Sequence, residues 1–451
     1  MKVIILGAGV SGLSAGFKLA NNNKNVLIIE KDNQVGGLSK TIKFNSCLFD
    51  LGGHRFLTEK ENIENFVKDL IGDDLLTIER KSKIYFRGNL IDYPIKPISA
   101  AFALGFLESL KSLIDYFISR KSIRKVINLE DWLIKSYGGV LFKNYFQEYT
   151  EKVWGISARE MSTDWSEARI GDSSLWKTIR DSFKKDNKLK TLSSNFYYPK
   201  KGIGMITDQL KKCIDKKGQV LMSTEIISIQ TEKDKIKSVT VKLSNNKIEV
   251  LSGDYFVSTV PLSTLINKID NVPGVLKNEA SKLSHRSLII LFLEINKLTI
   301  TSDSWIYFHS KKIPFARIHE PKNWSTEMVN SSNKTSLVLE IFCSFNDYTW
   351  QESESVLFDK CIESLENLGF LKKQEIINHK FIKISYAYPV YFLGYKEILQ
   401  NINQYLSRYN NFQAIGRMGS FNYNFIDSAL EQGFKAADKI LKSKSISHET
   451  K

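Results

Sequence analysis

The chain has 451 residues, 42% of them apolar and 12% aromatic, and a formal net charge of +15. That length and apolar content exclude a disordered or fibrous polymer and allow two or three domains with their own cores. The lysines are scattered and no basic–aromatic motif accompanies them, which sets nucleic acid aside; plain compositional bias accounts for the charge, and a phosphorylated small-molecule partner fits it as well.

The opening run KVIIL is short, apolar and ends in glycines, as a buried parallel strand does. It reads as a strand and not as the apolar region of a signal peptide. SGLSAGFKLANN follows with helical spacing and NVLIIE gives a second buried strand, so the start is a βαβ unit. KIYFRGNLIDYP alternates about Gly88 and Asn89 and predicts a hairpin. From about 98 to 185 the pattern is largely helical. Its most apolar stretch, ISAAFALGFLESLKSLIDYFIS, carries Glu108, Lys111 and Asp115, which suits an amphipathic helix and not a membrane span. Strands return in QVLMSTEIISIQ and in IKSVTVKLSNNKIEVLSGDYFVSTVP, with a turn at Asn245 and Asn246. RSLIILFLEI, DSWIYFHS, PFARIHE and TSLVLEIFCSF are further strands, FQAIGRMGS leads into the helix SALEQGFKAADKILKS, and SISHETK is a tail.

Cys47, Cys213, Cys343 and Cys361 lie far apart, without CxxC or a His/Cys cluster at metal-ligand spacing. Reduced thiols in a cytoplasmic protein, with no bound metal, are the expectation.

Gly7, Gly9 and Gly12 form GxGxxG directly between strand and helix, the context in which this motif binds a dinucleotide. Gly7 permits the tight turn, Gly9 lets backbone approach a pyrophosphate, and Gly12 lets helix and strand pack. Val10 and Ser11 then open the helix, whose free N–H groups face an anion. Glu30 ends the second strand where a carboxylate accepts ribose hydroxyls, with Lys31 beside it. Two more glycine pairs, Gly36–Gly37 before Leu38 and Ser39, and Gly52–Gly53 before His54, bring backbone close to a long ligand again. An extended FAD needs those approaches and a nicotinamide dinucleotide does not.

Here the sequence resembles the flavoprotein clan of amine oxidases, protoporphyrinogen oxidase and UDP-galactopyranose mutase. STEIISIQ, containing Ile226, resembles the strand whose backbone meets adenine, GDYFVSTVP the strand that re-enters the cofactor domain, and AIGRMGS the C-terminal flavin-contacting segment, which holds Gly416 and Arg417 ahead of Ile426. The implied fold is α/β: a Rossmann-like FAD domain (1–97, 200–268 and 410–445), a mainly helical insertion (98–199), a mixed sheet and helix substrate domain (269–409) and a tail (446–451).

Within the clan, YTEKVWGISAREM is similar to the YTEK-x-WG segment of bacterial UDP-galactopyranose mutases. DWSEARIG and SDSWIYFHSKKIPFARIHEPKNWS are similar to segments of the eukaryotic ones, and GRMGSFNY and FYYPKKGIGMI to segments of both. The resemblance implies interconversion of pyranose and furanose forms of a nucleotide-diphosphate sugar, through a sugar adduct at N5 of reduced FAD, in cell-surface polysaccharide biosynthesis. NAD(P)H is a candidate reductant. It also implies roles: Arg169 and Arg317 clamp the diphosphate, Tyr307 and Tyr423 hydrogen-bond it, and His54 and Arg417 lie beside the flavin. An arginine fork suits such a group because it meets phosphate oxygens bidentately.

Two positions depart from the mutase pattern. Phe425 stands where known mutases carry Asp or Asn, and Ser428 where eukaryotic-type ones carry His. The sugar is therefore expected to be deoxy or N-acetylated, or the reaction to differ. The alternatives are an oxidoreductase of the protoporphyrinogen oxidase or amine oxidase kind, whose amphipathic helix would touch a membrane peripherally, and a non-catalytic binding protein like the Rab GDP-dissociation inhibitors. Trp154, Trp165 and Trp176 read as packing residues. The residues leave the sugar, the base and the oligomeric state open.

Overall fold

The structure is a computed structural model that describes residues 1–93, 104–121, 125–169 and 194–443, with backbone only for 167–169. A five-stranded parallel sheet runs in the order Gln219–Leu221, Asn25–Ile29, Lys2–Leu6, Tyr255–Ser258, Phe412–Ala414. Its first strand sends Val3 and Ile5 into one core and Ile4 and Leu6 into another, so both faces are covered. That is why KVIIL reads as an unbroken apolar run. One face carries the helices Val10–Asn21, Gly204–Ile214 and Ile426–Lys442, the other the meander from Glu225 to Ser252 and the helix Leu262–Lys268. Two of these helices pack backbone to backbone: a Cβ at Gly433 would meet the Ser11 carbonyl oxygen at 2.3 Å.

A second sheet of seven strands has the order Ile376–Pro389, His285–Ile295, Thr335–Ser344, Arg317–His319, Trp305–Phe308, Ser82–Phe86, Asn89–Asp92. Along His285–Ile295, Ile289, Leu291 and Leu293 meet the helix Glu354–Asn367, while Leu288, Ile290 and Phe292 meet Phe49 and Leu51 on the opposite side. The hairpin read from KIYFRGNLIDYP is present, with Arg87 and Gly88 at positive φ in its turn. It joins this second sheet through a parallel pairing with Trp305–Phe308. Part of the range 1–97 thus builds the second sheet. Likewise, Asn195–Pro199 pairs with Leu75–Glu79, a short ribbon within a region expected to be mainly helical.

The helices Phe106–Lys121, Leu129–Tyr137, Gln147–Trp154 and Asp164–Arg169 occupy the described part of the insertion. Trp176 and the tail lie outside the described residues. No helix among those residues is long and apolar enough to cross a membrane. The four cysteines are free thiols.

Candidate active site

The crevice at the carboxyl ends of the parallel strands is where an open α/β sheet binds its ligand. Gly7 turns there at φ +104, and its N–H donates to Ile29 O at 2.8 Å. A Cβ at Gly7 would meet Thr259 Oγ1 at 2.2 Å, and one at Gly12 would meet Gly7 O at 2.1 Å. Gly9 differs. Its φ is −74°, and a Cβ added to it meets no protein atom within 4 Å. The open space lies where the helix begins with the buried Val10 and Ser11, whose N–H groups have no helical partner. This cradle fits the pyrophosphate of a dinucleotide.

Three more segments close on it. The Gly36 N–H donates to Ala8 O at 2.8 Å, and a Cβ added at Gly37 would meet Gly9 Cα at 3.4 Å, with Leu38 and the buried Ser39 completing a single helical turn. Gly416, at φ +83, sits against the Ser11 side chain, and Ile426 is buried at the start of the last helix. Glu30 is buried and accepts the Ala8 N–H at 2.7 Å and the Asp32 N–H at 3.0 Å. A carboxylate has about four acceptor sites, so ribose hydroxyls add to these bonds without displacing them. Thr224 N–H donates to Glu30 O, which brings the strand of Ile226 alongside. The Ile226 carbonyl accepts Lys268 Nζ at 2.5 Å, and Lys31 is exposed.

The seven-stranded sheet faces the Gly52–Gly53–His54 turn. Gly52 has φ +109, and a Cβ at Gly53 would approach the Arg317 guanidinium carbon to 3.2 Å. Arg317 stands opposite Glu340 on the neighbouring strand. Its Nε donates to Glu340 Oε1 at 2.7 Å and its Nη2 to Oε2 at 2.5 Å. The Gly53 N–H donates to the same Oε1 at 2.8 Å. Burial alone would lower the Arg317 pKa, but the Glu340 charge holds it well above its ordinary value. The pair is neutral as a unit, and Glu340 takes two of the five N–H donors.

Burial, then the positive charges of Arg417 and Arg317, push His54 down to about 3. Its imidazole is therefore neutral at physiological pH. Its Nε2 lies 3.2 Å from Leu51 O, and because a carbonyl only accepts, Nε2 carries the proton and Nδ1 keeps a lone pair. Arg417 lies over the rings of Tyr423 (5.2 Å) and Tyr388 (5.4 Å), with Nη2 donating to Asn424 O at 2.6 Å. Tyr388 and Tyr423 stack at 5.7 Å, and Trp154 meets both edge-on. Burial pushes the Tyr388 phenol up to about 12. Tyr307 pairs with Arg317 across the strands and packs edge-on against Tyr93 at 5.6 Å.

His54, Arg317, Tyr307, Arg417 and Tyr423 are thus gathered around one turn. Arg169 ends the helix Asp164–Arg169, and its side chain lies outside the described residues. Phe425 packs edge-on against Tyr423 at 5.7 Å. Ser428 Oγ donates to Asp427 Oδ1 at 3.4 Å, and that aspartate is fully buried. Glu340 and Tyr388 belong to this region and were not singled out from sequence. For Glu340 a signal existed, since a lone carboxylate inside TSLVLEIFCSF must find a buried partner. Burial pulls Lys152, in the YTEK run, down to about 7, while the three backbone carbonyls that accept from its Nζ favour the charged form.

A reduced UDP-galactopyranose mutase has the same fold at TM-score 0.84, with 24% identity over 98% of this chain and 95% of that one. A cofactor-redesigned putrescine oxidase overlays at TM-score 0.68, with 15% identity over 98% and 99%. Among curated sequences, an L-amino-acid oxidase of Crotalus adamanteus is 24% identical over 282 residues, 57% of this chain and 50% of that protein. A corticosteroid-binding protein of Candida albicans is 26% identical over 280 residues, 58% of this chain and 53% of that protein. The chain spans about half the length of the curated relatives it matches. Residues 10–441 match the family described as flavin containing amine oxidoreductase, and with nearly its whole length inside that match the chain belongs to this family of flavoenzymes.

Proposed function

We propose that this protein is an FAD-dependent enzyme that interconverts the pyranose and furanose forms of a nucleotide-diphosphate sugar. The observation that carries the reading is the polar lining of the site: two guanidiniums and three tyrosines around His54, beneath the Gly52–Gly53 turn. An amine or an apolar ring has no use for two half-buried arginines. When bound in its reduced form, FAD supplies an electron-rich nitrogen nucleophile that is regenerated without net redox change.

The protein's own residues do the rest. Arg317, braced from behind by Glu340, and Arg169 hold the diphosphate as it leaves and returns. Tyr307 and Tyr423 donate O–H groups to its oxygens. His54 stays neutral and offers Nδ1 as an acceptor at the reacting face. Trp154, Tyr388 and Tyr423 wall the site with aromatic surface that keeps water from the sugar's anomeric carbon.

The test is a screen of UDP- and dTDP-sugars with isomer-resolving chromatography, with and without dithionite or NAD(P)H. Turnover only after reduction, with no oxygen consumed, is expected. Sustained peroxide release with an amine or a porphyrinogen would instead establish an oxidase.

A further inference from the structure

The loop that joins the Tyr307 strand to the Arg317 strand is gripped by the helix Gln147–Trp154, which carries the YTEK run. Lys152 Nζ donates to Phe308 O at 3.1 Å, to Ser310 O at 2.8 Å and to Phe315 O at 2.6 Å. Glu148 Oε1 accepts the Lys311 N–H at 2.6 Å, and Glu151 pairs with Lys311 Nζ at 2.6 Å. Tyr149, on the same helix, packs edge-on against Tyr307 at 6.2 Å. The helix is itself anchored: Arg286, from the long central strand, donates to Val153 O at 2.8 Å and to Lys152 O at 3.0 Å.

An ammonium has three donors and no acceptor, and here two go to carbonyls of the loop and the third to Phe308 at its entry. Three carbonyl dipoles converging in a partly buried space repel one another unless a cation sits between them. The loop is short, and the Phe308 N–H closes its base on Ala316 O at 2.9 Å. Its shape therefore sets how Tyr307 and Arg317 stand relative to each other.

We propose that Lys152 is a positioning residue that clamps the 309–316 loop and thereby fixes Tyr307 and Arg317 for the diphosphate. The assignment of Tyr307 and Arg317 to the diphosphate rests on the function proposed above; the clamp itself does not. The experiment compares the FAD-loaded wild type with Lys152→Met by hydrogen exchange and by UDP titration. Exchange of the 309–316 amides should rise by about tenfold or more, the loss of a charge-assisted hydrogen bond, while 286–295 stays protected. UDP binding should weaken by about tenfold. Unchanged protection of the loop would overturn the clamp. If Lys152→Met does not fold, Lys152→Gln, which keeps two N–H donors but loses the charge and the third bond, is measured instead, and the same loop should exchange faster there; no change would again overturn it. Failure of the wild type to bind UDP would overturn the nucleotide-sugar reading and leave the exchange result as the measure of the clamp.

Discussion

Arg317 and Glu340 face each other across adjacent antiparallel strands, joined by two hydrogen bonds of 2.7 and 2.5 Å, and Glu340 is fully buried. Because Glu340 also accepts the Gly53 amide, one carboxylate fixes both the proposed anion-binding arginine and the glycine turn that carries His54.

Removing one member of this pair strands the other. Arg317→Met should destabilise the FAD-saturated protein by about 3–5 kcal/mol, because Glu340 is left buried without its cation. Arg317→Met with Glu340→Leu should recover most of that, short of about 1 kcal/mol for the orphaned Gly53 amide. Urea unfolding at fixed excess FAD measures both. A double variant as unstable as the single one would show that the pair is not what fails. UDP binding should be lost in either.

The glycines of the first turn separate folding from cofactor retention. Gly7→Ala puts a side chain at φ +104 and into Thr259, and should cost the apoprotein about 1–3 kcal/mol. Gly9→Ala meets open space at an ordinary φ, so apoprotein melting should change by less than about 0.5 kcal/mol. Its flavin absorbance per protein should nevertheless fall sharply, because the methyl occupies the pyrophosphate's place. Full FAD occupancy in Gly9→Ala would put the pyrophosphate elsewhere.

Acid should destabilise the fold through its histidines. His54 and His309 are pushed down to about 3 and His285 to about 4, all chiefly by burial, from an ordinary 6.5. The unfolded chain then binds more protons than the folded one. Their stabilisation is fully present above pH 6.5 and is lost as pH falls toward 4 and below, at about 1.4 kcal/mol per unit for each. Asp50, raised to about 6 by burial, works in the opposite direction between 6 and 3.8 and offsets one of the three. A melting temperature that stays flat from pH 7 to 4.5 would contradict the neutral imidazoles.

Phe425 is the place to probe the sugar. It precedes the last helix in the N-cap position without a side-chain cap. Phe425→Asn should add a cap and give a hydroxyl-rich sugar a polar partner in place of a ring edge. The ratio of turnover on a galactose-type sugar to a deoxy or N-acetyl analogue should rise about tenfold, the worth of one matched hydroxyl. Chromatographic rates on paired substrates give that ratio, and an unchanged value would remove Phe425 from the specificity site.

What the sequence determined is local. Positive φ at Gly7, Gly52 and Gly416, close backbone approach at Gly12, and the alternation of Val3 and Ile5 against Ile4 and Leu6 are properties of neighbouring residues, so the cofactor cradle and most strands can be read before any fold is known. The tertiary structure alone decided which distant pieces meet. Gly53 and Glu340 are 287 positions apart, and Lys152 and Phe315 are 163 apart. The hairpin Ser82–Asp92 joins the strand Trp305–Phe308, more than 200 positions on, and buries Ile84, Phe86 and Ile91 against Leu104 and Tyr145. Periodicity states which face of a strand is apolar. It does not state which other face covers it, and so the brace behind Arg317 and the clamp on its loop came only with the packed molecule.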